Sequence, residues 1–221
     1  DIKRNLTLDM DFRAGNGYLN NWEVVQRTSA KIAEGVDRVK SGWGTSAVRR
    51  MGLGSDRFEF GQLDGRTSLR TEVLTLQDIG LVASDQNWRT NGTISSAFAT
   101  VSALDLRTEL TFSPDITLEL ANAAAAAISM ATPVTGAEIA RYLDPPTRLR
   151  ATMPIRGTTV EPDVGLPDLL TPLRNAATNA AREKLQEARE EAEQEVREQA
   201  EERTEEVVEE AGKRLRGLLG R

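Results

Sequence analysis

Hydrophobic and polar positions alternate strictly over 5–13: Leu6, Leu8, Met10 and Phe12 point one way, and Thr7, Asp9, Asp11 and Arg13 the other. A period of two is that of a β-strand with one wet face. Gly15-Asn16-Gly17 predicts a turn into the short strand Tyr18-Leu19. From Asn21 the apolar spacing becomes helical, through Trp22, Val25, Ile32 and Val36, and predicts a helix over about 21–38. Residues 41–55 show no period and read as a loop or connector.

The following segment carries the strongest strand signals. Phe58 and Phe60 lead to Leu63, then Asp64-Gly65, then Thr67, Leu69 and Thr71, which is the pattern of a hairpin with a two-residue turn. Residues 73–76 and 79–83 continue as strands, and Asn91-Gly92 repeats the hairpin signal between Trp88 and Ile94. Leu104, Leu106, Leu110 and Phe112 alternate with Asp105, Arg107, Glu109 and Thr111. Ser113-Pro114-Asp115 then turns the chain, and Ile116, Leu118 and Leu120 predict one more strand at period two. The alanine-rich run 122–131 and the segment 136–143 predict short helices, together spanning about 122–143. Leu149, Ala151, Met153 and Ile155 supply a last strand, in which Pro154 requires an edge or a bulge.

A second region starts near Pro167-Asp168, a proline and an acid suited to a first helical turn, and no Gly or Pro interrupts 173–211. Its apolar stripe runs through Leu169, Leu173, Ala176 and Ala180, then Leu185, Ala188, Ala192, Val196 and Ala200, then Val207, Ala211, Leu215 and Leu218. Between 180 and 206 that stripe is mostly alanine, each methyl contributing well under ~1 kcal/mol of burial. The shaft is therefore expected to stand in solvent or to pack loosely. The expected class is mainly β with α: a curled antiparallel sheet, groove- or sandwich-like, over 1–165 with short helices, and a long charged helix over 166–221.

Composition narrows the chemistry. The 221 residues hold no histidine and no cysteine, which removes Ser-His-Asp triads, Cys-His pairs and the usual zinc sites. Carboxylate-only chemistry survives, and Asp9 with Asp11 is its one candidate pair; Thr7 and Arg13 on the same face and the lack of calcium-loop spacing favour an ordinary solvated strand face. The glycines at 52, 54 and 61 form no nucleotide fingerprint. No catalytic constellation, metal site or cofactor is expected, and the chain reads as non-enzymatic. The net charge is -6, and 182–210 holds 13 acidic against 5 basic side chains, which argues against a nucleic-acid partner. By contrast Lys213, Arg214, Leu215, Arg216, Leu218 and Leu219 form a basic amphipathic tip. It complements the helix dipole or touches anionic lipid or an acidic partner. No apolar run reaches the roughly 18 to 20 residues of a membrane span, and the opening Asp-Ile-Lys-Arg fits a mature chain or an excised fragment, which leaves room for an anchor upstream.

A sheet with one apolar face either folds over as a sandwich or curls into a groove whose lining is left for a greasy ligand, and periodicity leaves both open. The order of motifs resembles the C-terminal region of the AsmA family of envelope proteins. Gly17-Tyr18-Leu19 and the following helix resemble its Gly-x-hydrophobic element. Phe60-Gly61-Gln62-Leu63-Asp64-Gly65 resembles its Phe-x-x-Leu-x-Gly segment, with Leu74-Thr75-Leu76 and Leu81 in the strands after it. Asn91-Gly92-Thr93-Ile94 and Leu104-Asp105-Leu106 match a Gly-x-hydrophobic strand before a Leu-Asp-rich one. Met153-Pro154-Ile155-Arg156-Gly157-Thr158 and Glu161-Pro162-Asp163 match its closing strand and exit. The helical insertion at about 121–143 and the length of the last helix depart from the pattern. The resemblance implies a periplasmic module, tethered to the inner membrane through an upstream segment, that carries phospholipid acyl chains between membranes or supports outer-membrane assembly. The groove residues it implies are Leu6, Leu8, Met10, Phe12, Phe58, Phe60, Leu104, Leu106, Leu110, Phe112, Leu118 and Leu120. The competing reading is a docking protein with a packed β-sandwich and a helical spacer or oligomerisation rod.

Overall fold

The computed structural model describes residues 6–20, 23–51, 57–127 and 132–219; within its helices the side chains of 23–25, 209, 210, 212 and 214–219 lie outside that description. Seven strands form one antiparallel sheet: β1 (Thr7–Ala14), β4 (Gln62–Arg70), β5 (Val73–Val82), β6 (Gln86–Ser95), β7 (Ala103–Phe112), β8 (Arg150–Gly157) and β9 (Pro162–Val164), in that spatial order. Two short strands, β2 (Gly17–Asn20) and β3 (Arg57–Phe60), pair separately. Around them lie α1 (Glu23–Val39), α2 (Gly44–Arg50), α3 (Pro114–Ala127), α4 (Gly136–Arg141) and the long α5 (Leu170–Leu219). The class is mixed α/β built on a large antiparallel sheet.

The pairing of β1 with β4 runs unbroken from Thr7 opposite Arg70 to Ala14 opposite Leu63, and β2 pairs with β3 from Gly17 opposite Phe60 to Asn20 opposite Arg57. The two ladders are halves of one ribbon, interrupted at Gly15-Asn16 on one strand and Gly61 on the other. The far half lies over the apolar side of the sheet: Phe58 is buried and its ring centroid stands 5.7 Å from that of Trp88 on β6.

Both expected Gly turns are corrected. Gly65 and Gly92 sit inside β4 and β6, at φ +156° and +138°, and the register shifts between Asp64 and Arg66 and between Leu76 and Ile79. In both ladders the extra residue lies on β5, so this is one bulge at Gln77-Asp78, with Asp78 left-handed at φ 51°, and the two glycines stand beside it on the neighbouring strands, where they admit a neighbour's backbone. A Cβ on Gly92 would collide with the Asp105 carbonyl. The real β4–β5 turn is Thr71-Glu72, both left-handed at φ 48° and 63° without a glycine.

The strand expected at Ile116, Leu118 and Leu120 is helix instead. Ser113 Oγ accepts from the Ile116 amide at 3.4 Å, and Pro114 and Asp115 fill the first turn, as a helix start favours. Positions 116 and 120 are also one helical turn apart, so period two and period 3.6 agree on them; Leu118, 40% exposed while its neighbours two residues away are fully buried, decides for the helix. Within the expected loop 41–55, α2 forms because Ala47, Val48 and Met51 make an apolar face, and Gly44 lets α2 approach Ala33 of α1 while its amide donates to Asp37 Oδ1 at 2.6 Å; 52–56 lie outside the described residues. Of the expected helix 21–38, Glu23–Val39 is present, and Asn21 and Trp22 lie outside the description. Pro154 sits on β8 just past the β9 ladder, its carbonyl accepting from the Gly165 amide at 2.8 Å, so its missing N–H falls where pairing has ended.

The long helix begins at Leu170, three residues after Pro167, with Asp168 Oδ1 accepting from the Thr171 amide at 3.0 Å. That hydrogen bond holds the Asp168 carboxyl below its ordinary range. Leu169, Leu173, Ala176, Ala177 and Ala180 are buried against the body.

Two stability changes follow. Replacing Thr71-Glu72 by Asn-Gly relieves two left-handed residues and is expected to stabilise the protein by about 1–2 kcal/mol. Leu173→Ala, at the root of α5, is expected to destabilise it by about 2–5 kcal/mol. Denaturant melts of the two variants measure both.

Candidate functional site

Register assembles the apolar positions of the sheet into one face. Across the ladders, Leu8 stands opposite Leu69, Leu69 opposite Leu74, Leu74 opposite Ile94 and Ile94 opposite Leu104. A second row further along runs Leu63, Leu81, Trp88, Leu110 and Ala151. Burial along this face is graded. Under the helices Leu110, Phe112 and Met153 are fully buried; on β4 and β5 Leu69 and Leu81 are buried but Leu63, Leu76 and Ile79 only half-buried; and at the β1 edge Leu8 and Met10 are 51% and 47% exposed. Ile32 and Val36 of α1, Ile116 and Leu120 of α3, and Leu173 of α5 belong to the core that includes the buried end.

Between the covered and uncovered parts lies a cavity of about 310 Å³, near the lower limit of small-ligand pockets. Its walls are almost wholly apolar: Phe12, Leu19, Leu63, Leu76, Ile79, Leu81, Trp88, Ile94, Leu104, Leu106 and Ile155. Leu19 comes from the bent half of the ribbon, which thus supplies part of the roof. The three lining threonines include a self-satisfied pair, since Thr90 and Thr108 hydrogen-bond to each other at 2.9 Å, and Thr159 Oγ1 accepts from the Ser102 amide at 3.2 Å.

The structure brings together only part of the expected set. Phe12, Leu104 and Leu106 line the cavity. Leu8 and Met10 share its face further out, and Leu6 is exposed just before β1. Leu110 and Phe112 share the face but are buried. Phe58 and Phe60 belong to the small sheet, the first buried against Trp88, the second half-buried beside Gly17. Leu118 and Leu120 are on α3, outside the sheet altogether. The residues missed, Leu19, Leu63, Leu76, Ile79, Leu81, Trp88, Ile94 and Ile155, were legible as strand positions; what sequence lacked was which strands are neighbours.

The opposite face is wet and laced with ions. Asp9 pairs with Arg70 at 2.6 Å and Asp11 with Arg66 at 3.0 Å, each across the β1–β4 ladder. Arg89–Asp78, Arg150–Glu109 and Arg156–Asp105 continue the lacing at 3.6, 3.7 and 3.8 Å. Exposed pairs of this kind contribute about 0–1 kcal/mol each, so their main effect is to fix register and keep this face in water. Among the described residues no group of three or more acidic side chains is placed to hold a metal ion.

Helix α5 is tied to α4 near its root and then leaves the body. Thr135 and Glu138 form a capping box, and Lys184 donates to Glu138 and to the Pro133 carbonyl, both at 3.2 Å. The Thr135 amide, then Lys184, push the Glu138 carboxyl down to about 2. Beside them Glu183 hydrogen-bonds the Tyr142 phenol and raises it above its usual range. Beyond Lys184 every described side chain is exposed, Val196 and Val207 by 67% and 66%. Of the expected tip residues, Lys213 is exposed; the side chains of Arg214, Leu215, Arg216, Leu218 and Leu219 lie outside the description.

Compared with protein-family models, curated proteins and solved structures, the chain matches none.

The tie predicts a pH dependence. Because the folded Glu138 carboxyl lies below its ordinary 4.5, its contribution is complete above about pH 4.5 and is lost as pH falls toward about 2. The difference in Tm between the natural chain and Glu138→Ala is therefore expected to be largest near pH 6 and to shrink steadily below pH 4.5.

Proposed function

We propose that this protein is a non-catalytic lipid-handling module of the cell envelope, and that the open part of its apolar sheet face shields phospholipid acyl chains. The observation that carries this reading is the burial gradient: a single continuous apolar face is covered by helices at one end and, Leu69 apart, left exposed or half-buried toward β1, with an apolar cavity where the two meet. In this reading the bend of the β1–β4 ribbon into β2–β3 is the start of a curl, and the sheet acts as a groove. Each CH₂ taken from water lowers the free energy by about 0.8 kcal/mol, so a chain of a few carbons along Phe12, Leu76 and Ile94 needs no catalytic group to be held. The headgroup stays outside, where the rim offers water and the charged strand face.

The resemblance to the AsmA family supports the same reading and adds its setting: a periplasmic module, tethered to the inner membrane upstream, serving phospholipid transport or outer-membrane assembly. Helix α5, about 75 Å long at 1.5 Å per residue, then gives the body reach, and its basic tip meets a membrane surface or an envelope protein.

Native mass spectrometry after detergent-free purification tests this. Co-purified phospholipid is expected on the natural chain and its loss on Leu76→Glu, which puts a charge in the cavity at a half-buried position. A lipid-free protein, or lipid retained by Leu76→Glu, overturns the reading; a lipid-free oligomer held together by 167–221 identifies a docking rod instead.

A further inference from the structure

The two edges of the large sheet are treated differently. At one edge, β9 is three residues long and begins with Pro162; α1 packs beside it, and Arg27 Nη1 donates to the Pro162 carbonyl at 3.3 Å. Short length, proline and a covering helix are the usual devices that keep an edge from pairing. At the other edge, β1 is eight residues long, has no proline or lysine, and holds its register with β4 without a bulge. Among the described residues its outer side has no strand partner. Leu8 and Met10 stand exposed on it, and among the described residues the outer row of backbone donors and acceptors meets no strand, the Leu8 carbonyl accepting only from the Arg70 side chain at 3.5 Å.

The strand is also self-complementary. Two copies of β1 meeting antiparallel keep apolar side chains opposite apolar ones only when the paired residue numbers share parity. Centred on Met10, such a pairing sets Asp9 against Asp11 twice; centred on Asp11, it sets that carboxylate against itself. Centred on Phe12, it sets Arg13 against Asp11 of the other copy twice, Met10 against Ala14, Phe12 against Phe12, and no like charges. Opposite unlike charges and an aromatic pair both favour an antiparallel ladder. Each Asp11 would then lie between Arg66 of its own chain and Arg13 of the other.

We propose that β1 is a homodimerisation edge, pairing antiparallel with β1 of a second copy about Phe12 and joining two seven-stranded sheets, and their apolar faces, into one. Phe12 belongs to both this pairing and the cavity, so the two tests are kept apart by their variants: Arg13, which does not line the cavity, reads the dimer, and Leu76, which is not on β1, reads the lipid.

Sedimentation equilibrium of the whole chain is expected to show a reversible dimer. Arg13→Glu, an exposed change that sets acid against Asp11, is expected to weaken it at least tenfold, with circular dichroism confirming an intact fold. Since the chain contains no cysteine, single-cysteine variants report the register without ambiguity. Mild oxidation is expected to link Phe12→Cys to its copy and leave Thr7→Cys, on the same strand, unlinked. A monomer at all concentrations overturns the proposal, as does a dimer that survives Arg13→Glu or that links through Thr7→Cys.

Discussion

A β-sheet with strict alternation has two faces and one of them must leave water. In this protein seven strands share that constraint, and nearly everything else is an answer to it. The wet face needs little: charged residues stand opposite one another across the ladders, as Asp11 and Arg66 do, and the long side chains remain solvated. The apolar face needs a cover, and the chain supplies one for only part of its width. The cover is assembled from dissimilar pieces, namely α1, α3, the first turns of α5 and the folded-back β2–β3 ribbon, which is why helices interrupt a sequence that otherwise reads as a meander. Where these pieces stop, the apolar residues of β4, β5 and β1, Leu69 and Leu81 apart, are left half-covered and then bare.

Most strands were legible because alternation is local: Leu104 to Phe112 announces β7 without help from any other segment. Errors arose where two physical causes leave the same trace. Ile116 and Leu120 satisfy both a strand and a helix, and only the start signal Ser113-Pro114-Asp115, read there as a turn, separates the two. Glycine has the same ambiguity, since Asp64-Gly65 and Asn91-Gly92 mark places where the backbone must take an unusual φ, which the neighbour of a bulge requires as much as a turn does. The true turn, Thr71-Glu72, carries none of the expected residue types, so no local rule locates it. The helix α2 was hidden for another reason, as seven residues give too few periods to count.

The candidate site shows a different limit. Each of its residues lies on a segment whose character was readable, yet the cavity depends on strand order, on the ribbon's bend and on which helix lies where. Those are long-range facts. Leu19 and Ile155 are far apart in sequence and line the same space, while Leu110 and Leu106, on one strand and one face, differ because only the latter reaches the open part. The helix α5 was the reverse case. Its thin alanine stripe left a shaft in solvent or one loosely packed, and the described side chains beyond Lys184 are exposed, which is the first of the two.

The bulge on β5 reaches beyond its own strand. Gly65 on β4, Asp78 on β5 and Gly92 on β6 lie next to one another across three strands: a Cβ on Gly65 would strike Ile79, and the Asp78 amide is held by Asn91 Oδ1 at 2.7 Å rather than by the ladder. Together they draw a short seam across the middle of the sheet, where the ladders on both sides of β5 slip by one residue while β1–β4 and β6–β7 stay regular. In mechanical terms bending stiffness is lowest there. Any bending of the sheet falls first on that seam, which lies between the helix-covered strands and the β1 edge.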